Sequence, residues 1–219
     1  MEKYLFTIQN VEVGKLNALI NNVMKQTGSD DPNEAIRLVN SGEWTLTGPA
    51  RSWREADGVI YFSVISDGTT GEGWITRIEK NSSRVSDYAK SLLLSKDFQP
   101  TTGITTEIAV LKGLLFQDSE RTTQNIRTEA DKRRLSKPNA EVACLIREKF
   151  SDKELEAMGL YWIVVMHEPI KDSDGAPSLL RSVRDGDGQW LYAYDDGPGN
   201  WFNRELGFAF VVPQVSSQN

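Results

Sequence analysis

The stretch Leu160-Tyr161-Trp162-Ile163-Val164-Val165-Met166 decides the fold, because it is a continuous apolar run of strand length. Such a run predicts a central β-strand that is covered on both faces. Short β-rich runs follow it around residues 190–194 and 208–212, between turns rich in Asp and Gly. Residues 160–215 are therefore predicted to form a β unit.

Another β unit is predicted over residues 43–66. Ala56-Asp57-Gly58 precedes the run Val59-Ile60-Tyr61-Phe62-Ser63-Val64-Ile65. Asp-Gly between β-rich runs is a hairpin signal, because Gly adopts positive φ at no steric cost. The sequence therefore predicts two β units, this one nearer the N-terminus and the other nearer the C-terminus.

The segments outside these units predict helices. Residues 10–42 are predicted as a helical hairpin, whose second helix opens with the capping sequence Asp31-Pro32-Asn33-Glu34. Residues 70–159 are predicted as a helical region, which includes the capping box Ser151-Asp152-Lys153-Glu154. Within that region Ile104, Ile108, Leu111 and Leu115 share one helix face, although the Thr-rich start of the segment also fits a strand.

These elements predict an α+β fold and one domain over residues 1–219. The expected architecture is an antiparallel-rich β-sheet formed by strands from both ends of the chain. A helical layer lies between the strand groups in sequence, and a helical hairpin stands at the N-terminus. Consecutive helices between separated strand groups favour this design over an alternating parallel α/β fold.

The two β units share a pattern that predicts an internal repeat. The first reads Trp44, Gly48-Pro49, Trp53, Gly58, and the second reads Trp190, Gly197-Pro198, Trp201, Gly207. The step from Pro to the later Gly is nine residues in both. A duplicated three-strand unit explains the match, and the alternative is a chance likeness between strands joined by Gly-Pro turns.

Composition points to a cytoplasmic protein. Cys144 is the only cysteine, so no intrachain disulfide can form. The sequence Met1-Glu2-Lys3-Tyr4-Leu5-Phe6 lacks the features of a signal peptide. No apolar run approaches the roughly 20 residues that span a bilayer, so no membrane partner is expected.

The net charge and its distribution along the chain limit the kinds of partner that are expected. The net charge of −6 disfavours nonspecific binding of nucleic acid by the molecule as a whole. Residues 121–137, however, hold six basic and two acidic side chains. Arg127, Arg133 and Arg134 are candidate binding residues there, for nucleic acid or an acidic partner, and nucleic acid is expected only through this basic helix. A solvated helix face is the alternative.

The single histidine is the candidate catalytic residue. His167 ends the apolar run beside Glu168, where it could act as a general base. Asp172 and Asp174 follow and could join an oxygen-rich metal site. The alternative is a histidine that caps a strand and bonds to the backbone. One histidine excludes a zinc site with two histidines within the chain.

Four tryptophans of the β units are candidate binding residues. Trp44, Trp53, Trp190 and Trp201 lie beside polar turns, which suits a stacking platform for a sugar or a base. Core packing is the alternative reading. No cofactor is predicted, since Gly68-Thr69-Thr70-Gly71-Glu72-Gly73 lacks the Lys-Ser/Thr ending of a phosphate-binding loop.

The poverty of catalytic motifs favours a noncatalytic binding or interaction module over an enzyme. Its partner is unknown from sequence, and a protein or a small-molecule ligand both fit. The alternative is a hydrolase-like or metal-assisted enzyme centred on His167 and the nearby carboxylates, which requires these groups to meet in a cleft.

Overall fold

The computed structural model describes residues 13–45, 51–186 and 188–213. The chain divides into two compact units, residues 1–51 and 52–219. Within the described ranges there are seven α-helices and nine strands. In chain order they are α1 (Val13–Thr27), α2 (Pro32–Asn40), β1 (Arg54–Ala56), β2 (Val59–Asp67), α3 (Gly71–Lys80), β3 (Arg84–Val85), α4 (Asp87–Leu93), β4 (Thr102–Lys112), α5 (Thr123–Lys132), α6 (Val142–Lys149), α7 (Asp152–Ala157), β5 (Trp162–Val165), β6 (Ile170–Lys171), β7 (Pro177–Asp185), β8 (Gly188–Asp195) and β9 (Leu206–Val211).

The first unit contains α1 and α2, the two N-terminal helices that the sequence predicts. Gly28 lies between them at φ 70°, a conformation that favours glycine. The Asp31 carboxylate caps α2 by accepting a hydrogen bond from the backbone N–H of Asn33 at 2.9 Å. Residues 10–12 of the predicted hairpin lie outside the described residues.

The second unit is built on a sheet in the order β1-β2-β4-β9-β5-β7-β8-β3, with β6 paired to β7. The pairs β5–β9 and β3–β8 are parallel, and the other pairs are antiparallel. The sheet is therefore mixed rather than purely antiparallel, within an α+β fold. As predicted, β5 is a central strand.

The prediction of a helix through Ile104, Ile108 and Leu111 is wrong. Thr102–Lys112 forms β4, which pairs with β2 and β9. Ile108 and Val110 belong to one buried cluster, whereas Ala109 and Leu111 belong to another. Successive side chains of a strand point to opposite faces, and here both faces are buried. The predicted helical region over residues 70–159 is thus interrupted by a strand of the central sheet.

The predicted duplication is not supported by the strand pairing. β1 and β2 form a hairpin through Asp57 and Gly58. In the other segment β9 pairs with β4 and β5, and β8 pairs with β7 and β3. The two segments therefore follow different paths. Gly48-Pro49 lies outside the described residues.

Two apolar clusters form the core of the second unit. The first joins one set of sheet residues to α3, α4 and α6, and Trp74 is fully buried in it. The second joins the alternate sheet residues to α5 and to Phe202. Gly71 permits a close approach in the first cluster, because a Cβ there would lie 1.8 Å from the Leu93 carbonyl oxygen. Cys144 is buried, as its place in the apolar helix pattern predicts.

None of the described helices has the length and apolar character needed to cross a membrane.

Candidate functional site

His167 is buried just beyond β5 and is bonded to the backbone through both ring nitrogens. Nε2 accepts a hydrogen bond from the Leu180 N–H at 2.9 Å. The ring proton therefore lies on Nδ1, which donates to the Glu168 carbonyl oxygen at 2.6 Å. Burial lowers the pKa of His167 to about 4. The imidazole is neutral at pH 7 with both nitrogens engaged, so this geometry gives the predicted catalytic role no support.

Glu168, the other predicted catalytic residue, is exposed and forms an ion pair with Lys137. Its hydrogen bond with Lys137 lowers the pKa of the carboxyl group. The Glu168 side chain is thus an anion on the surface, and its contact with His167 is made by the backbone carbonyl alone.

The predicted metal residues hold a turn between β6 and β7. The Asp172 carboxylate accepts hydrogen bonds from the N–H groups of Asp174 and Ala176 and from the Ser178 hydroxyl, each at 3.0 Å. Asp174 accepts from the Tyr88 hydroxyl at 2.6 Å. Within the described ranges, no group of three or more His, Cys, Asp or Glu could hold a metal ion. The hydrogen bonds of Asp172 thus stabilise the turn between β6 and β7.

The predicted basic helix is α5, which ends at Lys132 with Arg133 as its C-cap and Arg134 beyond it, and the cations of this segment are largely neutralised. Nη2 of Arg127 lies 2.8 Å from both carboxylate oxygens of Asp196. Arg133 pairs with Glu129 at 2.8 Å, one turn earlier on the same helix. Arg134 is exposed and forms no ion pair with any residue that the structure describes. Most of the predicted basic surface is therefore occupied by internal pairs.

The four predicted binding tryptophans have different environments. Trp53 is buried in the core, and Trp44 is exposed in the first unit. Trp201 is exposed, but its Nε1–H donates to the Asp118 carbonyl oxygen at 2.5 Å. Trp190 is half-buried on β8, where it belongs to a cluster that the sequence predictions do not include.

That cluster is one face of the sheet at β5, β7, β8 and β3. We call it the aromatic–arginine face, and its residues are Arg84, Trp162, Arg181, Trp190, Tyr192 and Tyr194. Arg181 on β7 stands opposite Val164 on β5 and Tyr192 on β8. Since side chains two residues apart share a face, Trp162, Trp190 and Tyr194 join Arg181 and Tyr192 on the same side.

Arg181 lies at the centre of this face. Its guanidinium carbon lies 4.1 Å from the ring centroid of Trp162 and 5.0 Å and 5.5 Å from those of Tyr194 and Tyr192. All three distances are within the roughly 6 Å of a cation–π contact. Three aromatic rings therefore surround one cation.

The contacts continue along β8. The rings of Trp190 and Tyr192 stack with centroids 4.9 Å apart and an interplanar angle of 19°. The guanidinium carbon of Arg84, on β3, lies 5.1 Å from the Trp190 ring centroid. A continuous series of contacts thus runs from Arg84 through Trp190, Tyr192 and Arg181 to Trp162.

Neither arginine of the face has a carboxylate partner among the described residues. Nε and Nη1 of Arg181 are buried and have no hydrogen-bond partner there. Burial lowers the pKa of Arg181 from its ordinary value, but an arginine remains charged at neutral pH. By contrast, Arg77 and Arg127 lie within 3 Å of carboxylate oxygens. The face therefore holds two positive charges that the described chain leaves uncompensated.

Part of this face was visible in the sequence. Trp190, Tyr192 and Tyr194 alternate with smaller residues, which places three rings on one side of a predicted strand. Arg181 and Trp162 carry no such signal, because only the pairing of β5, β7 and β8 brings them to these rings.

A cavity of about 300 Å³ adjoins the face at Trp162. Its lining residues are Tyr161, Trp162, Arg184, Asp185, Gly186, Asn203, Glu205 and Leu206. Arg184 lies over the Tyr161 ring and 3.6 Å from Glu156. Asp185 and Glu205 add negative charge, so the cavity is less suited to an anion than the face beside it.

No family model, curated protein or solved structure matches this chain.

Proposed function

We propose that this protein is a noncatalytic binding module and that its aromatic–arginine face binds an anionic partner. The observation that carries the proposal is Arg181, a charged side chain among three rings with two buried N–H groups that lack a partner within the described structure.

The free energy of this arrangement favours an external anion. A buried cation is costly unless it is paired and hydrogen-bonded. The faces of Trp162, Tyr192 and Tyr194 offset part of that cost, at about 1–2 kcal/mol for a desolvated cation–π contact. A carboxylate or phosphate would add charge-assisted hydrogen bonds, which the rings cannot supply.

The geometry favours this reading over the enzyme alternative. A hydrolase-like site needs His167 free to exchange a proton, but both of its nitrogens bond to the backbone. The carboxylates of Asp172 and Asp174 bond to neighbouring groups of a turn instead of approaching His167.

Replacing Arg181 by methionine is expected to weaken binding of anionic probes at least tenfold, since a charge-assisted hydrogen bond contributes roughly 1.5–3 kcal/mol. Methionine keeps an unbranched apolar side chain against the rings and removes the charge and the N–H donors of the guanidinium. Fluorescence anisotropy with two labelled probes, a polyglutamate peptide and a single-stranded oligonucleotide, measures the effect.

The matched control is Arg134→Met, because Arg134 also lacks an ion pair within the described residues and the change in net charge is identical. We expect this variant to bind within about twofold of the wild type, since Arg134 follows the end of α5 and does not belong to the aromatic–arginine face. Equal losses in the two variants, or no binding of either probe by the wild type, would contradict the proposed function.

A further inference from the structure

We propose that the anionic partner is single-stranded nucleic acid, whose bases stack on the rings of the aromatic–arginine face while its phosphates pair with Arg181 and Arg84. This inference rests on the proposed function and specifies its ligand.

The number of rings on the face argues for bases. Trp162, Trp190, Tyr192 and Tyr194 are each half-buried, so each retains exposed ring surface. An acidic peptide would use the two cations, but its carboxylate side chains cannot stack. Every base has a π-face, and stacking on aromatic side chains together with arginine contacts is the usual way of binding single strands.

The dimensions of the face argue for an extended strand. β5, β7 and β8 are consecutive in the sheet, so Trp162 and Trp190 stand two strand spacings apart, about 10 Å. RNA-binding sheets stack two or three bases over a comparable surface. Each residue of the face retains exposed surface, but Nε and Nη1 of Arg181 are buried, so a phosphate is expected to reach this guanidinium through Nη2.

The charges around the face determine the expected path, affinity and salt dependence of a bound single strand. Asp185 and Glu205 in the adjoining cavity repel phosphate, so the strand is expected to cross the rings rather than enter the cavity. The net charge of −6 keeps the affinity low. With Arg181 and Arg84 as the two phosphate contacts, log K is expected to fall with log salt concentration at a slope of about −1.4.

The test is anisotropy of a labelled single strand of about ten nucleotides, titrated over a range of salt concentrations beside the matched duplex and a polyglutamate peptide. We expect the single strand to bind at least tenfold more tightly than the duplex or the peptide. Arg84→Met is expected to reduce the salt slope by about 0.7, since it removes one phosphate contact. Trp190→Leu is expected to weaken binding about tenfold while leaving the slope unchanged.

The control variant is again Arg134→Met, for which we expect the slope of log K against log salt concentration to remain unchanged. Arg84 is exposed and lies on the edge strand β3, so its replacement tests the inference even if Trp190→Leu fails to fold. Equal binding of duplex and single strand, or tighter binding of polyglutamate that still depends on Arg181, would overturn this inference and leave the proposed function standing. Binding that depends on neither arginine would overturn both.

Discussion

Replacing His167 by leucine is expected to lower the free energy of unfolding by about 3 kcal/mol at neutral pH. The change leaves the Leu180 N–H without its acceptor and the Glu168 carbonyl without its donor, both beside a fully buried position. Each unsatisfied buried group costs about 1–3 kcal/mol. Urea unfolding of the two proteins measures the loss, and His167→Gln, which keeps a donor and an acceptor, is expected to lose less.

The same histidine predicts a pH dependence. Burial holds the pKa of folded His167 at about 4, below the ordinary value of 6.5, so the unfolded chain binds more protons between these values. The wild type therefore has its full stability above about pH 6.5 and loses up to about 3 kcal/mol as the pH falls toward 4. The gap between wild type and His167→Leu should narrow over that window. A gap that stays constant with pH would contradict the buried, neutral histidine.

Replacing Arg127 by methionine is expected to destabilise the protein by about 3 kcal/mol, because it leaves a buried carboxylate unpaired. The Asp196 side chain is only 4% exposed, and both of its oxygens face Arg127. Burial already raises the pKa of Asp196, and Arg127 opposes that rise. Without Arg127 the folded carboxyl group would hold its proton to higher pH than the unfolded one, so the deficit should grow as the pH rises.

Arg133→Met is the matched control for this prediction, since Arg133 lies on the same helix and pairs with Glu129 at the surface. Its replacement is expected to change stability by less than about 0.5 kcal/mol. Chemical unfolding of both variants at two pH values distinguishes the buried ion pair of Arg127 from the surface ion pair of Arg133. Equal, small losses in the two variants would show that Arg127 is a surface cation, as the sequence predicts for the basic helix.

The features that the sequence predicts well are those set by neighbouring residues. The Asp31 cap of α2 is present, and Ser151 and Glu154 form the predicted capping box at the start of α7. Each depends on residues two or three positions apart, so their spacing in sequence determines the contact.

The segment that forms β4 was predicted as a helix, with a strand as the alternative for its Thr-rich start, for a physical reason. Residues 108–111 are all apolar and fully buried, because the two sheet faces carry separate cores. A run without alternation satisfies a helical spacing as readily as a strand. The tertiary environment, which the sequence does not display, decides between them.

The aromatic–arginine face as a whole was not predicted, because the pairing register of β5, β7 and β8 brings its residues together. Trp162, Arg181 and Tyr192 come from β5, β7 and β8, and a shift of one residue would turn Arg181 to the other face. His167 illustrates the same limit, since its partner Leu180 lies 13 residues away. Sequence identified the residue types that carry chemistry, but only the strand pairing shows which of them share a face of the sheet.

Ligand is expected to bind at the aromatic–arginine face, and the signals of the six tryptophan indoles measure this directly. In a heteronuclear NMR titration with a single-stranded oligonucleotide, we expect the indole N–H signals of Trp162 and Trp190 to shift. The signal of the fully buried Trp74 should remain in place. Shifts confined to Trp44 or Trp201, or no shift at a concentration that saturates binding, would contradict the account.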